Sequence, residues 1–140
     1  VVSLKDKLPL APSVVEFRNS QWARPDVYKA LRDSGTGFCC VDEPNLKGLF
    51  PRISMVTSDT GYLRFHGRNA AKWWSHKEAW ERYDYLYTDD ELKQWISKIA
   101  EMDEASSETY VLFNNCHRGQ AATNAVTMKR LLELARDSGE

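Results

Sequence analysis

The chain carries almost no net charge and contains no long hydrophobic run. Its 19 Lys and Arg residues nearly balance 20 Asp and Glu residues, so the formal net charge is −1 at pH 7. This balance gives no overall electrostatic reason to expect binding to nucleic acid or to a membrane surface. The apolar runs are far shorter than the roughly 20 residues of a membrane-spanning helix. Residues 1–13 also lack the apolar core of a secretory signal peptide.

Cysteine is scarce, with only Cys39, Cys40 and Cys116 in the chain. An odd number, with two adjacent cysteines in an apolar run, does not predict a disulfide framework, and no CxxC spacing indicates zinc. We expect small buried side chains in a reducing compartment, and hence a cytoplasmic protein. The alternative for Cys116, which lies in a polar stretch, is a reactive thiol.

Short apolar runs and helical patterns alternate along the chain. With 140 residues, 42% hydrophobic and 28% charged, the composition is that of one globular domain spanning 1–140. Runs rich in β-branched and aromatic residues predict strands at 13–17, 37–41, 62–66 and 109–113. Helical patterns follow at 25–35, 88–102 and 119–138, and a long loop is predicted at 43–61. Strands that alternate with helices predict an α/β fold with a parallel sheet.

Polar side chains follow every predicted strand. The candidate ligand-binding residues are Arg18, Trp22, Asp42, Arg68, Asn69, Asn114, Asn115, Gln120 and Asn124. The candidate catalytic residues are Glu16, Arg64 and His66. Because sites in parallel sheets lie at the carboxyl ends of the strands, the pattern predicts one polar pocket shared by four strand ends.

Arg64 and His66 alternate with apolar residues, so both should point to one face of the sheet. A guanidinium inside a strand needs a partner, since leaving it unpaired costs several kcal/mol. One interpretation is a purely structural ion pair between Arg64 and Glu16. The other is that Arg64 and Arg68 bind an anionic ligand, a phosphate or a carboxylate.

His66 also has two interpretations. Its ordinary pKa lies near neutrality, which suits a general acid or base. Equally, the ring could donate a hydrogen bond to a loop carbonyl. Gly67, which follows it directly, would let a backbone or a ligand approach closely.

A divalent metal is a further hypothesis for the cofactor, which the sequence does not identify. Glu16, Asp42, His66 and Asn115 could supply one ligand from each strand end, a set that suits magnesium, manganese or zinc. No tight motif spacing supports it. The asparagines could instead cap helices and bond loops. The Trp- and Tyr-rich stretch at 73–87 predicts packing, or stacking on a sugar or base, so a nucleic-acid partner stays open.

Several long segments carry a family resemblance. YLRFHGRN at 62–69, RYDYLYTDDELKQW at 82–95 and YVLFNNCHRGQAATNA at 110–125 resemble the YecE-like family, a domain of unknown function (DUF 72). The resemblance implies a TIM-barrel fold and no established reaction. Family members are longer, and this chain is similar to their C-terminal half. Half a barrel has two unpaired edges and an open apolar face, so we expect self-association or pairing with the missing N-terminal half.

Two classes of function follow from these observations. The first is an enzyme that binds an anionic or phosphorylated small molecule at the strand ends, for hydrolysis or for phosphate chemistry related to nucleic acids. The second is a non-catalytic ligand-binding or interaction barrel in which the same polar cluster is structural.

Overall fold

The computed structural model describes residues 12–138 and contains one sheet of four parallel strands. The strands are β1 (Val14–Glu16), β2 (Gly37–Asp42), β3 (Thr60–Phe65) and β4 (Glu108–Phe113), and their order in the sheet is their order in the chain. The four predicted strands are confirmed within two residues at each end. Within the described residues, β1 and β4 each pair with a single neighbour, so both form edges of the sheet.

Five α-helices in the described part of the chain connect or flank the strands. They are α1 (Pro25–Asp33), α2 (Ala70–Trp73), α3 (Asp89–Lys93), α4 (Ile96–Glu104) and α5 (Gln120–Ser138), with short 3-10 turns at Ser20–Trp22, Ala79–Tyr83 and His117–Gly119. No helix within 12–138 combines the length and the apolar character needed to cross a bilayer. The predicted helices near 25–35 and 119–138 are confirmed, and the long loop predicted after β2 contains no helix.

The single helix predicted at 88–102 is wrong, because the structure divides it into α3 and α4. Its start is as expected, since Thr88 and Glu91 form a reciprocal capping box. The break lies at Trp95, whose φ of −105° departs from helical geometry. The Trp95 side chain is buried and its indole Nε1 donates to Asp42 Oδ2 at 2.7 Å. This anchoring to the sheet accounts for the interruption of the helix.

The sheet has two unlike faces. On one face Cys40, Leu63 and Phe65 pack beneath the helices, and the Phe65 ring stacks on Phe113 with the centroids 4.6 Å apart. We call this the helix face. Tyr62, Arg64, Tyr110 and Leu112 alternate with those positions and point to the opposite side, which we call the open face. Tyr110 is 47% exposed and Leu112 38%, so the described residues leave this face partly uncovered.

Candidate functional site

Glu16, the last residue of β1, is the centre of a polar cluster on the open face. Its Oε2 accepts a hydrogen bond from Arg64 Nη1 at 2.7 Å. Its Oε1 lies 3.0 Å from His66 Nε2 and accepts from Arg18 Nη1 at 3.1 Å. The Glu16 carboxylate therefore links side chains at the ends of β1 and β3, two strands that β2 separates in the sheet. The ion pair predicted between Arg64 and Glu16 is confirmed.

The contacts of His66 with Glu16 and Asn114 favour one neutral form of its ring, and Arg18 Nη1 also lies 3.4 Å from Nε2. Its side chain is 1% exposed. An ionised carboxylate only accepts hydrogen bonds, so Nε2 must donate to Glu16. Nδ1 lies 3.3 Å from the amide nitrogen of Asn114, which can only donate, so Nδ1 accepts. Burial lowers the pKa of His66 and the charges of Arg18 and Arg64 lower it further, outweighing the hydrogen bond to Glu16. His66 is accordingly neutral at pH 7.

The pKa of Glu16 is lowered to about 2. Burial alone would raise it, but the hydrogen bond from His66 and the charges of Arg64 and Arg18 together outweigh burial. A second acid, Glu43, has a fully buried side chain. It accepts from Arg18 Nε at 2.9 Å and from the backbone N–H of Phe50 at 3.0 Å. Burial raises the pKa of Glu43 above its ordinary value in spite of Arg18.

Arg18 and Arg64 differ in how many of their guanidinium nitrogens bond to a carboxylate within residues 12–138. Arg18 uses Nε and Nη2 on Glu43 and Nη1 on Glu16, so all three nitrogens have carboxylate partners. Arg64 uses Nη1 alone, and its Nε and Nη2 bond to nothing else within residues 12–138. The Arg64 side chain is 32% exposed. It is thus the cation of this cluster that offers free donors to a ligand.

A second polar cluster lies on the helix face around Asp42. Asp42 is fully buried and forms a two-bond pair with Arg68, with distances of 2.8 Å and 2.6 Å. The hydroxyl of Tyr87 and the indole of Trp95 also donate to it, at 2.8 Å and 2.7 Å. Arg68 has a further contact with Glu91. The strand-end residues therefore form two clusters on opposite faces of the sheet, where the sequence predicted one pocket.

Most of the candidate Asn and Gln side chains hold in place the segment 81–87, which follows β3. The side chains of Asn69, Asn115, Gln120 and Asn124 all bond to groups of residues 81–87. Their partners there are backbone groups of Glu81, Asp84, Tyr85 and Tyr87 and the side chain of Asp84. Of the candidate amides, Asn114 is the one that contacts His66. Trp22 stacks on Phe17 with ring centroids 5.3 Å apart and is half exposed.

The predicted metal-ligand set does not come together. Within residues 12–138 no group of three or more His, Cys, Asp or Glu side chains is placed to hold an ion. Glu16 and His66 bond to each other on the open face. Asp42 and Asn115 bond to groups on the helix side of the sheet.

Two aromatic rings from the segment after β3 contact the Glu16 cluster. The buried ring of Trp73 lies 5.6 Å from the Arg18 guanidinium, and the ring of Tyr83 lies 6.3 Å from that of His66. Trp73 and Tyr83 also contact each other edge to face. Glu43, Trp73 and Tyr83 were not among the candidate site residues. For Glu43 its position next to Asp42 was a usable signal, because adjacent residues at a strand end point to opposite sides.

Gly67 leaves room beside the site, and a substitution there tests this. Its φ is +88°, and an added Cβ would lie 2.9 Å from Tyr85 Cβ. Gly48 is a matched control, with φ of +90° and nothing within 4 Å of an added Cβ. We expect Gly67→Ala to cost about 1–3 kcal/mol more than Gly48→Ala, because it adds overpacking to a similar backbone cost. Urea unfolding measures both, and equal losses would contradict the close approach.

The neutral state of His66 predicts a pH-dependent part of the stability. Its pKa is lowered on folding, so the unfolded chain takes up the proton first as pH falls below about 6.5. The contribution of His66 is therefore complete above pH 6.5 and is lost on acidification. We expect His66→Gln, whose amide can still donate to Glu16, to lose less unfolding free energy between pH 7 and pH 5 than the wild type. Identical pH profiles would show that His66 does not titrate this way.

The sequence over residues 2–139 matches the model of the family described as "Protein of unknown function DUF72". Among curated proteins, the chain is 33% identical over 133 residues to the UPF0759 protein YunF of Bacillus subtilis (strain 168). This match covers 88% of the chain and 47% of YunF.

Solved structures give the same relationship. A DUF72 family protein of Thermotoga maritima MSB8, TM1631, is 46% identical with a TM-score of 0.86, over 94% of this chain and 51% of that one. The DUF72 family protein EF0366 of Enterococcus faecalis V583 is 30% identical with a TM-score of 0.80, over 94% and 52%. The chain thus spans about half the length of these relatives. The resemblance predicted from the sequence motifs is confirmed, and the chain belongs to the DUF72 family.

Proposed function

We propose that this chain supplies the anion-binding part of an enzyme site, with Arg64 as the residue that binds the ligand. The observation that carries the proposal is the pair of Arg64 donors, Nε and Nη2, that have no partner within residues 12–138, on a side chain that is 32% exposed. These two nitrogens lie on one edge of the planar guanidinium. That edge matches the spacing of two carboxylate or phosphate oxygens and binds them with two parallel hydrogen bonds.

The neighbouring groups support a positioning role for the rest of the cluster. Glu16 fixes one end of the Arg64 guanidinium, so the free edge is held in a defined orientation. A carboxylate with a pKa of about 2 is a poor general base. His66 is almost wholly buried and bonds to Glu16 and Asn114. We therefore assign positioning roles to His66, which orients Glu16, and to Glu16, which orients Arg64, and we assign direct contact with the ligand to Arg64.

The alternative is a non-catalytic binding or interaction domain in which the cluster only holds the fold. The observation that favours it is the convergence of Arg18, Arg64 and His66 on the single carboxylate of Glu16. Under this alternative, removing the Arg64 side chain lowers stability and has no effect on any ligand.

Calorimetric titration with sodium acetate and with inorganic phosphate separates the two functions. We expect Arg64→Met to reduce the affinity for these anions at least tenfold, because the bidentate contact is lost. Arg32→Met is the matched control, since Arg32 is exposed in the last turn of α1, before β2 begins. Equal binding by wild type, Arg64→Met and Arg32→Met would refute the role of Arg64.

We also propose that the complete fold is a closed barrel. Three observations support a sheet that closes as a TIM barrel with further strands. Among residues 12–138, β1 and β4 each have one edge without a partner strand, and Tyr110 and Leu112 are exposed. The relatives are also about twice as long. Buried free thiols at Cys39 and Cys40 support the cytoplasmic location.

An unclosed sheet predicts association of the 140-residue chain. Free parallel edges recruit further strands, so we expect size-exclusion chromatography with light scattering to give a mass above that of one chain, 16.1 kDa. A compact monomer with a cooperative thermal transition would contradict the proposed incompleteness of the sheet.

A further inference from the structure

We propose that His66 takes up a proton when an anion binds to Arg64, and that Asn114 turns its side-chain amide to accept the new N–H. This inference rests on the proposed function, because it starts from an anion on the Arg64 guanidinium. It adds a coupling between ligand binding and pH, carried by a series of contacts that starts at Arg64 and ends at Asn114.

An unbroken series of polar contacts connects the ligand-binding group with the imidazole ring. Arg64 Nη1 donates to one oxygen of Glu16 at 2.7 Å, and the other oxygen lies 3.0 Å from His66 Nε2. Arg64 and His66 therefore share one carboxylate. The His66 side chain is 1% exposed. At short range and in a site with little water, a change of charge at Arg64 acts strongly on His66.

The charged groups around His66 decide whether its ring can hold a second proton. Glu16 favours that proton, whereas the guanidinium groups of Arg18 and Arg64 oppose it. Tyr83, whose ring centroid lies 6.3 Å from that of His66, is a further titratable side chain against the ring. An anion on the unpartnered edge of Arg64 offsets the charge of that arginine, so it raises the pKa of His66. Glu16 keeps its own charge near pH 6, because its pKa is about 2.

Asn114 can follow the change of protonation without losing another contact. In the neutral ring, Nδ1 of His66 accepts from the Asn114 amide nitrogen at 3.3 Å. A proton on Nδ1 needs an acceptor instead, and a half-turn of the amide places its oxygen there. Within residues 12–138 that oxygen has no other hydrogen-bond partner, so the turn breaks no bond. Asn114 is partly exposed, so the proton can come from the solvent.

The coupling has a defined direction with pH. Because the bound anion raises the pKa of His66, the complex holds a proton at a pH where the free chain has lost it. Anion affinity therefore rises as pH falls through the pKa of His66 in the complex. It levels off below the pKa of His66 in the free chain, which lies under 6.5. We expect a gain of about fivefold between pH 8 and pH 5.5, within the usual range for two coupled sites.

Calorimetric titration of the full chain with sodium formate measures the protons taken up, when it is repeated in two buffers with different ionisation enthalpies. Formate is the probe because its own carboxyl stays ionised throughout this pH range. At pH 6 we expect at least about 0.2 proton per bound formate, and at pH 8 none, since His66 is then neutral with and without the anion.

His66→Gln identifies the group that takes up the proton, because its amide can still donate to Glu16 but cannot titrate. We expect this variant to bind formate with the same affinity at pH 5.5 and pH 8, and without proton uptake. His117→Gln is the matched control. Among the described residues His117 contacts Trp80 and Asp84 and no member of the Glu16 cluster. The control should keep the wild-type uptake.

NMR of the wild-type chain guards against a folding defect in the variant. At pH 6, formate should move the Nδ1 signal of His66 towards its protonated position. The side-chain amide signals of Asn114 should shift with the same dissociation constant. The ring signals of His76 and His117 should not follow that curve.

The outcomes separate this inference from the proposed function. Formate binding that is lost in Arg64→Met but takes up no proton at pH 6 would overturn the coupling and keep the anion site. Proton uptake that persists in His66→Gln would assign the proton to another acid, such as the buried Glu43, and would also overturn the coupling. If no formate binds, or if Arg64→Met binds formate as the wild type does, the proposed function fails and the inference fails with it.

Discussion

Asp42→Ala is expected to lower the free energy of unfolding by about 3–5 kcal/mol, the range for removal of one partner from a buried ion pair. Asp42 is fully buried and accepts from Arg68, from the Tyr87 hydroxyl and from the Trp95 indole. Without the carboxylate, these donors lose their acceptor in a site with little access to water. The loss should also loosen α4, because the Trp95 indole anchors the start of that helix to the sheet.

The matched control is Asp26→Ala in the first turn of α1. Asp26 also forms an ion pair with an arginine, Arg24, but its side chain is 66% exposed and that of its partner 57%. Exposed pairs contribute about 0–1 kcal/mol, so this substitution should change stability little. Urea unfolding followed by circular dichroism compares the two variants. If Asp42→Ala costs no more than Asp26→Ala, the Asp42 cluster does not stabilise the fold.

Local sequence rules predicted the strands and showed which side chains share one face of the sheet. Runs such as GFCCV and TYVLF are short, apolar and β-branched or aromatic, and each becomes a strand near the predicted bounds. Strict alternation placed Arg64 and His66 on the same face, and Glu16 was the right carboxylate for Arg64.

The separation of the polar residues into two clusters required tertiary information. Asp42 and Arg68 lie at or just after strand ends, as Glu16 and Arg64 lie at or near them, and only the positions of Trp95 and Tyr87 reveal that the first pair is covered. The partners of Asn115 and Asn124 lie 30 and 37 residues away along the chain, so no local pattern could assign them. The break at Trp95 could not be predicted for the same reason. The spacing of apolar residues along a helix does not show that one of them bonds to a strand.

Glu16→Gln is expected to have opposite effects on stability and on anion binding. It removes a carboxylate that accepts from Arg18, Arg64 and His66, so unfolding free energy should fall by about 2–3 kcal/mol, the range for hydrogen bonds to charged groups. The loss is smaller than for Asp42→Ala because water can reach Arg64 and Arg18, whose side chains are 32% and 36% exposed.

Anion affinity should rise in the same variant, by about five- to tenfold. A unit charge at about 4 Å contributes about 1 kcal/mol even in a water-like dielectric, and Glu16→Gln removes that repulsion from the ligand. Glu101→Gln, on the exposed side of α4, controls for the change in net charge. Urea unfolding and calorimetric titration with acetate measure the two effects. A variant that is destabilised and also binds acetate less well would show that Glu16 acts as part of the anion contact.

We expect Arg64 to bind an anion through the edge of its guanidinium that Glu16 leaves free. An NMR titration of the wild-type chain with acetate tests it most directly, with the Nε–Hε signals of the arginines as the readout. We predict a saturable shift of the Arg64 signal, and no comparable shift of Arg18 or Arg68, whose Nε atoms bond to Glu43 and Asp42. An unshifted Arg64 signal at acetate concentrations that saturate binding by calorimetry would contradict the account.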